Sequence, residues 1–113
     1  MPGQINWFEL PAADTARART FYGGLFDWNT TGFDGDYHVI GNGPAGAIAP
    51  RENGFTHPRV YFGTEDIDAS VKRVHELGGT SEEVQAVPGV GRITHCHDDQ
   101  GTPFSLFEPA SQG

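Results

Sequence analysis

The stretch WFELPAADTARARTFYGGLFDW, residues 7–28, decides the fold once it is set beside VYFGTEDIDASVKRVHELGG, residues 60–79. Each opens on an alternating apolar run and passes an acidic residue able to cap a helix. Each then carries apolar side chains at helical spacing and, toward the helix C-terminus, a pair of glycines. A shift of 52 residues, from Asp14 to Asp66, lays one on the other and matches Phe8 with Val60, Leu10 with Phe62, Tyr22 with Val74 and Leu25 with Leu77. Matching chemistry in matching phase marks an internal repeat.

Outward from these anchors the chain reads as two βαβββ units. In the first, INWFEL (residues 5–10) alternates as a strand, with Asn6, Phe8 and Leu10 on one face and Ile5, Trp7 and Glu9 on the other. Asp14 then caps a helix whose apolar stripe is Ala18, Phe21, Tyr22 and Leu25 and which fades at Gly23–Gly24. Short strands follow in WNTTGF, DYHVIG and GAIAP, separated by the turn residues DGD and GNGP. In the second unit PRVYFGT gives the strand, and Asp66 caps a helix with Ile67, Val71, Val74 and Leu77 on one face. GRITHCH and PFSLFE are the clearest closing strands, and DDQG (98–101) is the turn between them. The expected architecture is α+β, a single domain over residues 1–113 with one module at about 1–54, another at about 55–113, and PRENGFTHP as the junction. Two such sheets side by side, with helices on one face, would leave the other face to curl around a cavity.

Composition narrows the partners. Fifteen acidic against seven basic side chains give a net charge of −8, which repels nucleic-acid phosphates and anionic lipid. The same acidity is compatible with a cationic ligand or with a plain solvated surface. One cysteine excludes an intrachain disulfide and a closed zinc site. The N-terminal MPGQINWFEL has no basic segment followed by an apolar run, and no window has the length of a membrane span. A cytoplasmic protein without nucleic-acid or membrane partners is expected.

Two motifs invite chemistry without earning it. GNGPAG (41–46) matches a dinucleotide-binding glycine pattern, but Pro44 and a short apolar run follow where a helix N-terminus is needed to receive pyrophosphate. In GRITHCHDDQG (91–101) strand alternation puts His95 and His97 on one face and Cys96 on the other, so the segment offers at most two ligands to one site. Cys96 reads as packing.

With those residues in view, the chain resembles the vicinal oxygen chelate superfamily, which holds glyoxalase I, extradiol dioxygenases and bleomycin-resistance proteins. The resemblance rests on the two quoted stretches and on VPGVGRITHCHDDQGTPFSLFEP, and it covers nearly the whole chain. It implies a small-molecule cavity, a homodimer and, in the metalloenzymes, four side chains holding a divalent ion that chelates two substrate oxygens. Carried over, those four positions fall on Trp7, near Gly46, on Arg59 and on Ser105, none of them a good ligand. No metal and no other cofactor is therefore expected. The rival is a lyase or dioxygenase holding Ni, Zn, Mn or Fe through displaced ligands drawn from Glu9, His57, His95 and His97.

Trp7, Glu9, Arg59, Tyr61, Ser105 and Phe107 fall on the strand faces away from the helices, where the resemblance places the cavity. Trp7, Arg59, Tyr61, Ser105 and Phe107 are the candidate ligand-binding residues, and Glu9 is the candidate catalytic base. Against this, Trp7 and Phe107 can simply pack the cavity shut or form a dimer interface, and Glu9 with Arg59 can be a satisfied ion pair. The function expected is small-molecule binding, with metabolite or drug sequestration as in the bleomycin-resistance proteins. An interaction domain is the third reading.

Overall fold

The computed structural model describes residues 3–110. In chain order its elements are β1 (Ile5–Ala12), α1 (Thr15–Phe26), β2 (Thr30–Gly32), β3 (His38–Ile40), β4 (Gly46–Pro50) and β5 (Arg59–Gly63). They continue with α2 (Ile67–Glu76), β6 (Thr80–Ser81), β7 (Gln85–Val87), β8 (Gly91–His97) and β9 (Pro103–Pro109). The fold is α+β with both parallel and antiparallel strand pairs. The chain forms two compact units, one from Phe8 to Arg59 and a flanking unit made of the described residues on either side of it. The first residues join the flanking unit because Gly3 N–H donates to Gly63 O and Gly63 N–H to Gln4 O.

In the Phe8–Arg59 unit the strands run β2-β3-β4-β1, and only the β1/β4 pair is parallel. Asp14 caps α1 by accepting the Arg17 N–H. The helix does not stop at the two glycines. It continues to Phe26, where Asp27 takes a left-handed conformation and its N–H closes on Gly23 O. The reason lies in Trp28, on which the rings of Tyr22 and Phe26 pack at 5.6 and 5.0 Å. This tertiary packing outweighs the roughly 1 kcal/mol that a glycine costs in a helix. The expected stripe also needs correcting. Thr15 is buried and Ala18 and Tyr22 are half-buried, but Phe21 and Leu25 are exposed, so the face turned to the sheet is rotated toward Thr15.

In the flanking unit the strands run β5-β9-β8-β6, with β7 also on β8 and only β5/β9 parallel. β6 and β7 are two pieces of one interrupted edge, both antiparallel to β8, so the expected three strands after the helix become four. Asp66 caps α2 as expected. Ile67 forms the core with Cys96 and Leu106, flanked by Phe62, Val71, Val74, Val84 and Phe104. Leu77 drops out of the stripe, since it caps the helix C-terminus and is exposed.

Candidate functional site

Sheet register decides which side chains share a face. In the Phe8–Arg59 unit Phe8 packs on Trp28 and so lies on the α1 side, which turns Glu9 to the opposite side. In the flanking unit Leu106 and Cys96 face α2, which puts Tyr61, Ser105 and His95 on the other face in one cross-strand row. These two helix-free faces carry the chemistry-bearing residues.

Glu9 is buried and its carboxylate is held by two donors from its own unit. Tyr37 Oη donates to Oε2 at 2.6 Å, and Arg59 Nη1 donates to Oε1 at 3.2 Å. The Arg59 guanidinium lies over the ring of Phe55, 4.2 Å from its centroid. Phe55 is buried because Glu52 and Phe55 exchange backbone hydrogen bonds around Asn53–Gly54, with Gly54 at φ 85°. Tyr37 is placed by a similar device, a turn through Asp34 (φ 52°) and Gly35 (φ 79°) closed by Phe33 N–H on Tyr37 O. Neither Tyr37 nor Phe55 figured among the expected residues. The only sequence signal for them was an aromatic beside a DG or NG turn.

On the flanking unit's helix-free face Ser105, fully buried, is hydrogen-bonded to His95 Nδ1 at 2.7 Å. The buried Tyr61 ring meets the His95 ring edge-on, with centroids 6.0 Å apart. Phe107 is half-buried, opposite Gly63 and Ile93. Trp7 is half-buried on β1. His97 is exposed, and His57 is exposed with Nδ1 at 3.1 Å from Thr56 Oγ1.

The donor set does not suit a divalent ion. Arg59 brings a cation, and Ser105 a hydroxyl already committed to His95. The position near Gly46 corrects by one residue. Tyr61 pairs with Ser105 and its repeat counterpart Glu9 pairs with Ala47, so Ala47 is the equivalent of Ser105, and its methyl is no ligand either. Among the described residues no three His, Cys, Asp or Glu side chains converge as a metal site requires.

The glycine pattern is explained by packing. β4, not a helix, follows GNGPAG, and a Cβ on Gly46 would fall 2.2 Å from the Phe8 ring, one on Gly43 2.7 Å from Trp28 Nε1. Two further polar clusters lie on the helix sides. Asp36 accepts from Thr15 Oγ1 at 2.6 Å and is 2.7 Å from His38 Nε2, and these two hydrogen bonds, Thr15 first, hold its carboxyl below the usual range. Glu108 accepts from Arg92 Nε and Nη2 and from the Ile67 N–H at the start of α2, and Arg92 above all holds its carboxyl low.

No family model matches the chain. Among curated proteins it is 31% identical to the anthracycline biosynthesis protein DnrV of Streptomyces peucetius, over 94% of this chain and 47% of that protein. It is 34% identical to the anthracycline biosynthesis protein DauV of Streptomyces sp. (strain C5), over 96% of this chain and 42% of that one. The chain thus spans somewhat less than half the length of these two relatives. A glyoxylase-like domain-containing protein of Didymella fabae is 26% identical over 92% of both chains. Among solved structures, methylmalonyl-CoA epimerase from Mycobacterium tuberculosis superposes with a TM-score of 0.68 at 19% identity, covering 97% of this chain and 89% of that one. A variant of homoprotocatechuate 2,3-dioxygenase from B. fuscum does so with 0.72 at 18% identity, covering 97% of this chain and 33% of that one.

Proposed function

We propose that this chain, whose fold is that of the vicinal oxygen chelate superfamily, is a small-molecule-binding protein that works without the superfamily's metal ion. The observation that carries the reading is the Arg59 guanidinium, fixed between Phe55 and Glu9, at a position that the sequence resemblance matches to a metal ligand of the metalloenzymes. A cation there repels a divalent ion and suits a polar organic ligand, with the Phe55 ring as apolar surface beside it. The anthracycline-biosynthesis relatives favour a polycyclic aromatic compound of that kind, bound for sequestration or carriage. The acidic surface tolerates a cationic substituent on it. The reading includes a cytoplasmic homodimer, a state that sedimentation of the purified protein tests directly. Glu9 serves as the base if the protein also turns its ligand over.

Elemental analysis of the purified protein, followed by calorimetric titration with hydroxyanthraquinones before and after chelator treatment, tests the proposal. The expected result is no stoichiometric metal and ligand binding that survives chelation. Stoichiometric metal, lost in a His95→Ala/His97→Ala variant, would replace this reading with a metal-dependent lyase or dioxygenase.

A further inference from the structure

Arg59 has more hydrogen-bonding capacity than its own unit uses. Its side chain is 22% exposed, and among the described residues only Nη1 donates to an acceptor, the Glu9 carboxylate. Phe55 covers one face of the guanidinium plane, so the group is held in position from below by a ring and from one corner by a carboxylate. The Nε–Nη2 edge is left. That edge carries two parallel N–H groups spaced to match the two oxygens of a carboxylate, the geometry that makes arginine a bidentate receptor where lysine is only a point charge. Most of the ordering cost is already met, since the turn at Asn53–Gly54 and the buried Glu9 fix the fork before anything binds.

We propose that the Nε–Nη2 edge of Arg59 is a carboxylate receptor, so that the ligands of this site are aromatic acids. The proposal rests on the small-molecule-binding reading and names its ligand class. In it, Phe55 and Glu9 are positioning residues that hold the fork. Glu9 has a second effect, because its negative charge beside the guanidinium tempers the attraction for an anion.

The test uses two probes of one ring system, anthraquinone-2-carboxylate and anthraquinone-2-carboxamide, titrated calorimetrically into the full chain at neutral pH. They share shape and apolar surface and differ in the charged, two-oxygen group. The wild-type protein is expected to bind the carboxylate about tenfold more tightly, the scale of one charge-assisted hydrogen-bonding interaction. Glu9→Gln is expected to widen that preference several-fold, because the neutral amide no longer offsets Arg59. An ion pair that is only structural would give no such gain. Arg59→Gln alone strands a buried carboxylate and threatens folding, so the decisive variant is Glu9→Gln/Arg59→Gln, in which both charges are gone. Its carboxylate preference should vanish, with the two probes binding alike. Equal wild-type binding of the two probes, or a preference that survives in the double variant, overturns the receptor and leaves the binding reading standing. Binding of neither probe overturns both.

Discussion

At Glu9 a single buried carboxylate organises one sheet face, and its value to the fold lies in its donors. A carboxylate taken out of water is costly unless each oxygen accepts a hydrogen bond, and Tyr37 and Arg59 supply one apiece. Tyr37→Phe keeps the ring and removes the donor to Oε2. It is expected to lower stability in urea unfolding by about 1.5–3 kcal/mol, the range for a hydrogen bond to a charged group. A double-mutant cycle with Glu9→Gln should return most of that as coupling energy, and near-additivity would show that the pair is not the source. Cys96 is the opposite kind of residue. Burial in the α2 core pushes its thiol up to about 11, with Glu82 adding to the shift, so only about a thousandth of it is thiolate at pH 8. Labelling by a disulfide reagent should be slow in the native protein and rapid once guanidinium unfolds it. Fast native labelling would contradict the packing.

The elements show the same dependence on close approach. β4 reaches β1 in parallel only because Gly46 leaves room for the Phe8 ring, which a Cβ would meet at 2.2 Å. Gly46→Ala is expected to destabilise the protein by about 1–3 kcal/mol, as overpacking of a filled site does. Phe8→Leu in the same chain should recover part of the loss, whereas two simply additive losses would mean that the ring is not the obstacle. Helix α2 depends on its N-terminus. The Asp66 side chain takes the Ala69 N–H, and Glu108, reaching from β9, takes the Ile67 N–H while held by Arg92. Asp66→Ala should cost about 0.5–2 kcal/mol in chemical unfolding. A negligible change would mean that the Glu108 contact anchors the helix unaided.

At the scale of the whole molecule, Asp36 and Glu108 contribute to the response to acid. Asp36 and Glu108 both have folded-state values below their ordinary 3.8 and 4.5, so the folded state releases their protons more readily than the unfolded chain. Their stabilisation is complete above those ordinary values and is lost as the pH falls through the lowered ones. Arg92→Ala removes the main cause at Glu108. Its destabilising effect should therefore be larger at neutral pH than at a pH acid enough to protonate the wild-type carboxylate. Equal losses at both pH values would assign Arg92 a packing role instead.

The sequence by itself determined the repeat, the two helices and their aspartate caps, the α+β class and the strand faces of Glu9, Tyr61 and Ser105. All of these rest on short-range periodicity and local capping chemistry, which a few neighbouring residues express. It also exposed GNGPAG as a false nucleotide signal, because the test was local: Pro44 and a short apolar run follow where a helix N-terminus is needed. Only the tertiary structure decided the rest. The extension of α1 past its glycines depended on Trp28, beyond the helix, and the exposure of Phe21 and Leu25 on which face of that helix is turned to the sheet. The equivalence of Ala47, not Gly46, with Ser105 depended on register across a pair of strands about forty residues apart in the chain, where one step reverses the face. Tyr37 and Phe55 came to the Glu9–Arg59 pair through turns, which carry no period, so their places could be read only after the strands had paired.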